Sequence, residues 1–195
     1  MSEAPVRVAV IVGSVREGRF GPVVADWLAG VAGEHGGFAV DVVDLAESDL
    51  PMVLPAFGAA PPPAVVAEVA KVTPRLEAAD AFVVVTPEYN HSFPASLKQA
   101  IDVAYDEWHA KPVGFVSYGC RSAGQHAVDQ LRTVFTALHM VGVRDGVGVD
   151  LLDGDDLDAR LAGDTPVRAA QALLDQICWW GRTLRAGRAA HPYVS

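Results

Sequence analysis

Residues 81–102, AFVVVTPEYNHSFPASLKQAID, decide how this chain is read. They open with Ala81–Val85, an unbroken apolar run. An unbroken run, rather than an alternating one, is what a strand covered on both faces needs, and such strands belong to parallel sheets. The loop Thr86–Pro94 follows, stiffened by Pro87 and Pro94. In it, Tyr89, Asn90 and Phe93 face outward with nothing nearby in sequence to bury them. Ala95–Trp108 then reads as a helix with Leu97, Ile101 and Ala104 on one face. Strand, loop and helix make one βα unit, and the same order recurs on either side.

Upstream, Val6–Val12 (VRVAVIV) is a β-branched strand ending at Gly13. Gly21–His35 carries Val24, Trp27, Leu28 and Val31 at helical spacing, and Phe38–Val43 is a second strand. The proline-rich stretch Pro51–Pro63 excludes regular structure until about Ala64, where Val65, Val69, Val72 and Leu76 mark a further helix. Downstream, Pro112–Val116 is the fourth strand. Gly124–Met140 is a helix with Ala127, Leu131, Val134, Phe135 and Leu138 inward. Val141–Val149 is a weak fifth strand interrupted by Gly146 and Gly148. The last helix starts near Pro166, a good first-turn residue, and runs to Gly187. Val167, Ala170, Leu174, Ile177 and Leu184 form its core stripe. Trp179 and Trp180 cannot both point inward, so one is expected at a subunit contact or over a neighbouring subunit's site. Five βα units in succession imply one α/β domain over residues 1–195: a three-layer, doubly wound, five-stranded parallel sheet with right-handed crossovers.

Composition narrows the function. The 195 residues include 15 Lys+Arg and 24 Asp+Glu, a net charge of −9, with 51% hydrophobic and 20% charged residues. That is too apolar for a disordered chain. The acidic balance argues against nucleic acid and anionic membranes, whose binders carry a basic stripe. No run approaches the roughly 18–20 apolar residues of a membrane span. Cys120 and Cys178 form no C-x-x-C and no disulfide framework, so a cytoplasmic protein is expected. The histidines show neither an H-x-x-x-H pair nor Cys/His ligand spacing, so no metal site is expected. The charge is uneven: Asp150–Asp164 holds six Asp against one Arg, −5 of the −9, and reads as a solvated surface segment.

Ligands of open α/β sheets bind at the carboxyl ends of the strands, near the point where strand order reverses. The first such loop, Gly13–Gly21 (GSVREGRFG), lies between a strand and a helix N-terminus with its unpaired N–H groups. Ser14 adds a hydroxyl, and Arg16 and Arg19 add cations with fork geometry for phosphate. The loop matches neither G-x-G-x-x-G nor G-x-x-x-x-G-K-[ST]. In the third loop, an aromatic ring beside an amide suits a flat heteroaromatic ligand with polar edges. The fourth, Ser117–Gly124 (SYGCRSAG), is built of small residues that leave space and supply N–H groups. Ser122 there invites a hydrolase reading with Asp153 and His191, but Cys120 stands where the elbow G-x-S-x-G needs glycine. Cys120 reads as a small filler beside the site.

VVVTPEYNHSFPASLKQAID (Val83–Asp102), GSVREGRFG and SYGCRSAGQHAVDQLR (Ser117–Arg132), at these spacings, resemble the NADPH-dependent FMN reductase family. These are flavodoxin-like proteins that include quinone, azo-dye and chromate reductases, and the resemblance covers roughly residues 6–187. It implies a flavodoxin-like strand order 2-1-3-4-5, bound FMN, and NADPH or NADH as reductant. It places the FMN phosphate on Ser14, Arg16 and Arg19, beside Phe20. Pro87, Glu88, Tyr89 and Asn90 would lie along the ribityl chain and one face of the ring, the first two mainly through backbone groups. Ser117, Tyr118, Gly119 and Gly124 would border the ring's polar end. The flavin carries the chemistry, so no catalytic side chain is implied. The family often shows a Gly-Gly pair followed by Arg two residues on; this chain has Ala123-Gly124-Gln125-His126. Members are commonly dimers or tetramers. The implied activity passes hydride from a nicotinamide cofactor through FMN to a quinone, free flavin or similar small acceptor. The alternatives are an FMN electron-carrier module without nicotinamide activity, docking to a basic protein, and a binding or regulatory protein that kept the fold.

Overall fold

In the computed structural model, which describes residues 4–56, 58–152 and 156–194, the apolar runs align side by side. Strand β1 (Val6–Val12) lies between β2 (Phe38–Asp44) and β3 (Ala81–Pro87), and β3 pairs with β4 (Pro112–Gly119), all in parallel. The order is β2-β1-β3-β4-β5, as the resemblance implies. Two short segments share the fifth position: β5 (Val141–Gly142) and β6 (Val147–Asp150) each pair with β4. Gly146 between them explains the break, because a Cβ there would lie 2.9 Å from the Phe115 carbonyl oxygen of β4.

Side-chain alternation sorts the core into two layers. Val6, Val8, Val10 and Val12 of β1 join Val83 and Val85 of β3 on one face. Helix α1 (Gly21–His35) and the 27-residue final helix Asp164–Ala190 cover that face. Ala9, Ile11, Phe82, Val84 and Phe115 point the other way, into a layer that includes Leu76, Leu97, Ile101, Leu131 and Phe135. Both faces are buried, which is why the strands need continuous apolar runs. Each fully buried Val, Leu or Phe contributes about 1.5–3 kcal/mol.

Helices depart from expectation where proline or tryptophan intervenes. The helix expected from Ala64 is two pieces, α2 (Pro63–Val69) and α3 (Thr73–Ala78), because Pro74 starts a helix and cannot continue one. Helix α4 (Ala95–Asp102) stops short of Trp108, whose indole N–H donates to the Ile101 and Ala104 carbonyls and satisfies the helix end. Helix α5 is Gln125–Ala137. The acidic segment is not one loop: Asp150 closes β6, Leu157–Leu161 forms the short helix α6, and Asp164 begins the final helix, α7. Asp153 lies outside the described residues. On α7, Trp179 is 60% exposed while Trp180 packs against the core, so the pair does divide between surface and interior. Among the described residues no helix is long and apolar enough to cross a membrane.

Candidate active site

The carboxyl ends of β1, β3 and β4 lie together, and their loops enclose a cleft of about 380 Å³. Loop 13–20 is braced from all sides. Gly13 N–H donates to the Val85 carbonyl (2.9 Å), and the Ser96 hydroxyl donates to the Gly13 carbonyl (2.6 Å). Ser14 is fully buried, its hydroxyl 2.7 Å from that of Tyr89. Arg19 forks onto the Asp44 carboxylate with two bonds of 2.7 Å and also donates to the Ser14 carbonyl. Thus Arg19, expected on the phosphate, is engaged by an acid 25 positions away that closes β2. Counting Asp44, the loop's local charge falls from +1 to zero. Arg16 is left exposed at the mouth of the cleft.

Helix α1 supplies the second positive element. Phe20 provides no side-chain cap, and no acid occupies the first turn. The helix therefore presents open N–H groups and the positive end of its dipole. Beneath it lies the Tyr118 hydroxyl, buried beside the Gly21 N–H and Ser14 but with no hydrogen bond of ordinary geometry. A Cβ at Gly21 would lie 3.2 Å from that oxygen, so Tyr118 reaches the start of α1, the end of the loop where phosphate was expected. Burial, reinforced by the nearby Tyr89, pushes the Tyr118 phenol well above its ordinary pKa, so it remains a neutral O–H donor.

Loops three and four are tied to each other. Tyr89 and Ser92 exchange backbone bonds around a tight turn, with Asn90 (φ 50°) and His91 (φ 63°) both left-handed. Ser117 is buried and donates to the Ala123 carbonyl at 2.8 Å. Gly124 (φ 84°) is the N-cap of α5, a conformation glycine adopts freely. Ala123, where the family often has glycine, is also left-handed (φ 52°), at a cost of about 1–2 kcal/mol. Glu88 joins the loops: one carboxylate oxygen accepts from the Ser122 hydroxyl (2.8 Å) and the His126 backbone N–H (3.0 Å). The other lies 3.0 Å from His126 Nδ1. Burial pushes the Glu88 pKa up, but these bonds outweigh it and hold the carboxyl below its usual range. Ser122 thus donates to a carboxylate, not a histidine, which removes the basis for a hydrolase triad.

Of the expected residues, Arg16, Arg19, Phe20, Pro87, Glu88, Tyr89, Tyr118 and Gly119 line the cleft. Ser14, Ser117 and Gly124 lie behind it as supports, and Asn90 is exposed on the turn. Cys120 lines the cleft as expected and is exposed. Leu151 also lines it, although its position inside the acidic segment had set it apart from the loops. Its neighbour Asp150 accepts the Arg121 N–H at 3.0 Å, anchoring that segment to loop four. Larger hollows exist elsewhere, but this cleft joins an uncapped helix start, an exposed Arg and an unpaired hydroxyl.

The chain is similar in sequence and in topology to known proteins. A sequence profile of NADPH-dependent FMN reductases matches residues 6–151. An NAD(P)H-dependent FMN reductase of Schizosaccharomyces pombe is 37% identical over 139 residues, 69% of this chain and 68% of that one. A quinone reductase of Pseudomonas putida is 30% identical over 190 residues, 92% of this chain and 96% of that one. Among solved structures, FerB of Paracoccus denitrificans, a flavoenzyme NAD(P)H:(acceptor) oxidoreductase, matches with a TM-score of 0.73 at 23% identity, covering 91% and 98% of the two chains, a likeness of fold. Because the profile spans β1 through the end of β6 and so includes every loop of the cleft, the chain belongs to the NADPH-dependent FMN reductase family.

Proposed function

We propose that the cleft binds FMN, with its phosphate at the start of α1 and its ring between loops three and four. The observation that carries this reading is the set of open donors around one cleft: the α1 N–H groups, Arg16 and the Tyr118 hydroxyl. A phosphate at the helix start would meet the N–H groups and Arg16, with the Tyr118 hydroxyl buried just beneath them. Arg19 acts by holding the loop's shape through Asp44 and Ser14. Tyr89, held by Ser14, forms one wall. Glu88 keeps loops three and four together, so the ring would meet a preset slot.

The protein works as an FMN-dependent oxidoreductase. When bound, FMN supplies the redox chemistry, accepting hydride from NAD(P)H and passing electrons to an acceptor. No side chain at the cleft is required as acid or base. Relatives named quinone reductase support a quinone or similar small molecule as acceptor. An assembly of two or more copies is part of the same reading. It is supported by the exposed Met52, Val53 and Leu54 (73%, 84% and 46%), two of which border hollows beside the β2–α2 connection.

Titrating the flavin-free protein with FMN and with riboflavin tests the phosphate assignment. FMN is expected to bind at least tenfold more tightly, because riboflavin lacks the group that the open donors address. Equal affinities would refute it.

A further inference from the structure

Glu88, His91 and His126 offer ligand atoms that all lie within 4.8 Å of one another. Sequence spacing hides the group, since it joins the turn after β3 to the first turn of α5. The two imidazole rings stack 4.2 Å apart and 10° from parallel. Both histidines are exposed, whereas the Glu88 side chain is only 10% exposed.

The frame around them is rigid. The turn Tyr89–Ser92 is closed by its own backbone bonds. Gln130 of α5 clamps it from the other side, donating to the His91 carbonyl (2.5 Å) and accepting from the Ser92 hydroxyl (2.7 Å). One Glu88 oxygen is fixed by Ser122 and the His126 N–H, leaving the other to face the His126 ring. Such outer hydrogen bonds are what orient a carboxylate ligand.

We propose that Glu88, His91 and His126 bind a borderline divalent transition-metal ion, with Zn²⁺ the best fit. Two imidazoles and one carboxylate are a donor set for that ion, and three protein ligands leave a position for water. Metal–ligand bonds of about 2.0–2.2 Å place ligand atoms about 3.4 Å apart. The contraction from the present spacing is small, and the exposed imidazoles supply it by rotating out of their stack. The ion takes the place of the hydrogen bond between Glu88 and His126 Nδ1: a neutral ring binds through Nδ1 with its one proton on Nε2, and a protonated ring releases one proton to water. The result is a divalent charge at the rim of the cleft and a crosslink between the turn and α5. The site shares Glu88 with the wall of the cleft but uses none of the open donors assigned to phosphate, so metal uptake and FMN binding are read separately.

Cobalt(II) chloride, titrated into the purified full chain without nicotinamide and followed by visible absorption, tests the site. One equivalent is expected to develop the bands of a low-coordinate Co²⁺ site, displaced by one equivalent of Zn²⁺. The double variant His91→Ala/His126→Ala is expected to weaken uptake by roughly 100-fold or more while its melting temperature and flavin content match the parent's. No such absorption in the parent chain, or uptake unchanged in the double variant, overturns the proposal.

Discussion

The two ends of the sheet are furnished with the same side-chain types and use them in opposite ways. At the amino end, Asp80 sits just before β3 with its side chain 2% exposed. It accepts from the Arg7 backbone (3.0 Å) and from Arg185 (3.1 Å), with Arg188 at 3.8 Å. Lys111, next to β4, donates to the Leu76 and Glu77 carbonyls. There the carboxylate is held by arginines and the ammonium by backbone carbonyls, all within the protein. At the carboxyl end, Arg16 is exposed, α1 begins uncapped and Tyr118 has a buried hydroxyl with no hydrogen bond of ordinary geometry. The larger hollow, about 730 Å³, lies at the amino end beside Lys111 and Arg188. Size therefore does not mark the site, and neither does a single orphaned polar atom, since His109 Nε2 beside the larger hollow is one too; the meeting of an uncapped helix start, an exposed Arg and the Tyr118 hydroxyl at one cleft does.

Disturbing the matched end gives the largest effect. Asp80→Ala leaves three arginines around an emptied site and is expected to cost about 3 kcal/mol of folding stability, read by chemical denaturation. FMN affinity of the folded fraction should hold. Lost affinity with unchanged stability would reverse the assignment of the two ends.

Lys111 adds a pH test of the same end. Burial lowers its pKa from 10.5 to about 8. Between those values the unfolded chain holds a proton that the folded protein has released, so this group makes stability rise with pH from about 8 to about 10.5, by on the order of 3 kcal/mol. Below about pH 8 both states are protonated and the contribution is flat. Denaturation midpoints across this window should rise more steeply in the parent than in Lys111→Met; parallel profiles would contradict the assignment.

At the other end, Arg16→Ala is expected to weaken FMN binding by about 10–100-fold, the loss of a charge-assisted hydrogen bond. Stability should stay within about 0.5 kcal/mol, since the side chain is a surface one. Tyr118→Phe is subtler. Removing an unpaired buried hydroxyl should leave the flavin-free protein as stable or slightly more so, while FMN affinity falls about tenfold or less. Loss of stability with unchanged affinity would show that the hydroxyl serves the fold and not the ligand.

The pattern of these residues explains what could be read from sequence. The unbroken runs Val6–Val12 and Ala81–Val85 announced a sheet buried on both faces, and β1 and α1 have the bounds that periodicity assigned. The three loops were legible because glycine, proline and arginine cluster after the strands. What stayed hidden was pairing at a distance. Nothing near Arg19 announces Asp44, and nothing near Glu88 announces Ser122 or His126. Leu151 was masked by the aspartates around it, although β6 ends beside the cleft and delivers it there. Pro74 carried the signal for the α2–α3 break, but the apolar spacing across Val69, Val72 and Leu76 outweighed it in the reading.

The central claim is that the unmatched end holds FMN and receives electrons from NAD(P)H. Its most direct test is an anaerobic titration of the FMN-loaded protein with NADPH and with NADH, following the visible flavin absorbance. Stoichiometric bleaching by at least one of the two is the expected result. A protein that takes up no FMN, or bound flavin that stays oxidised against both, would contradict it.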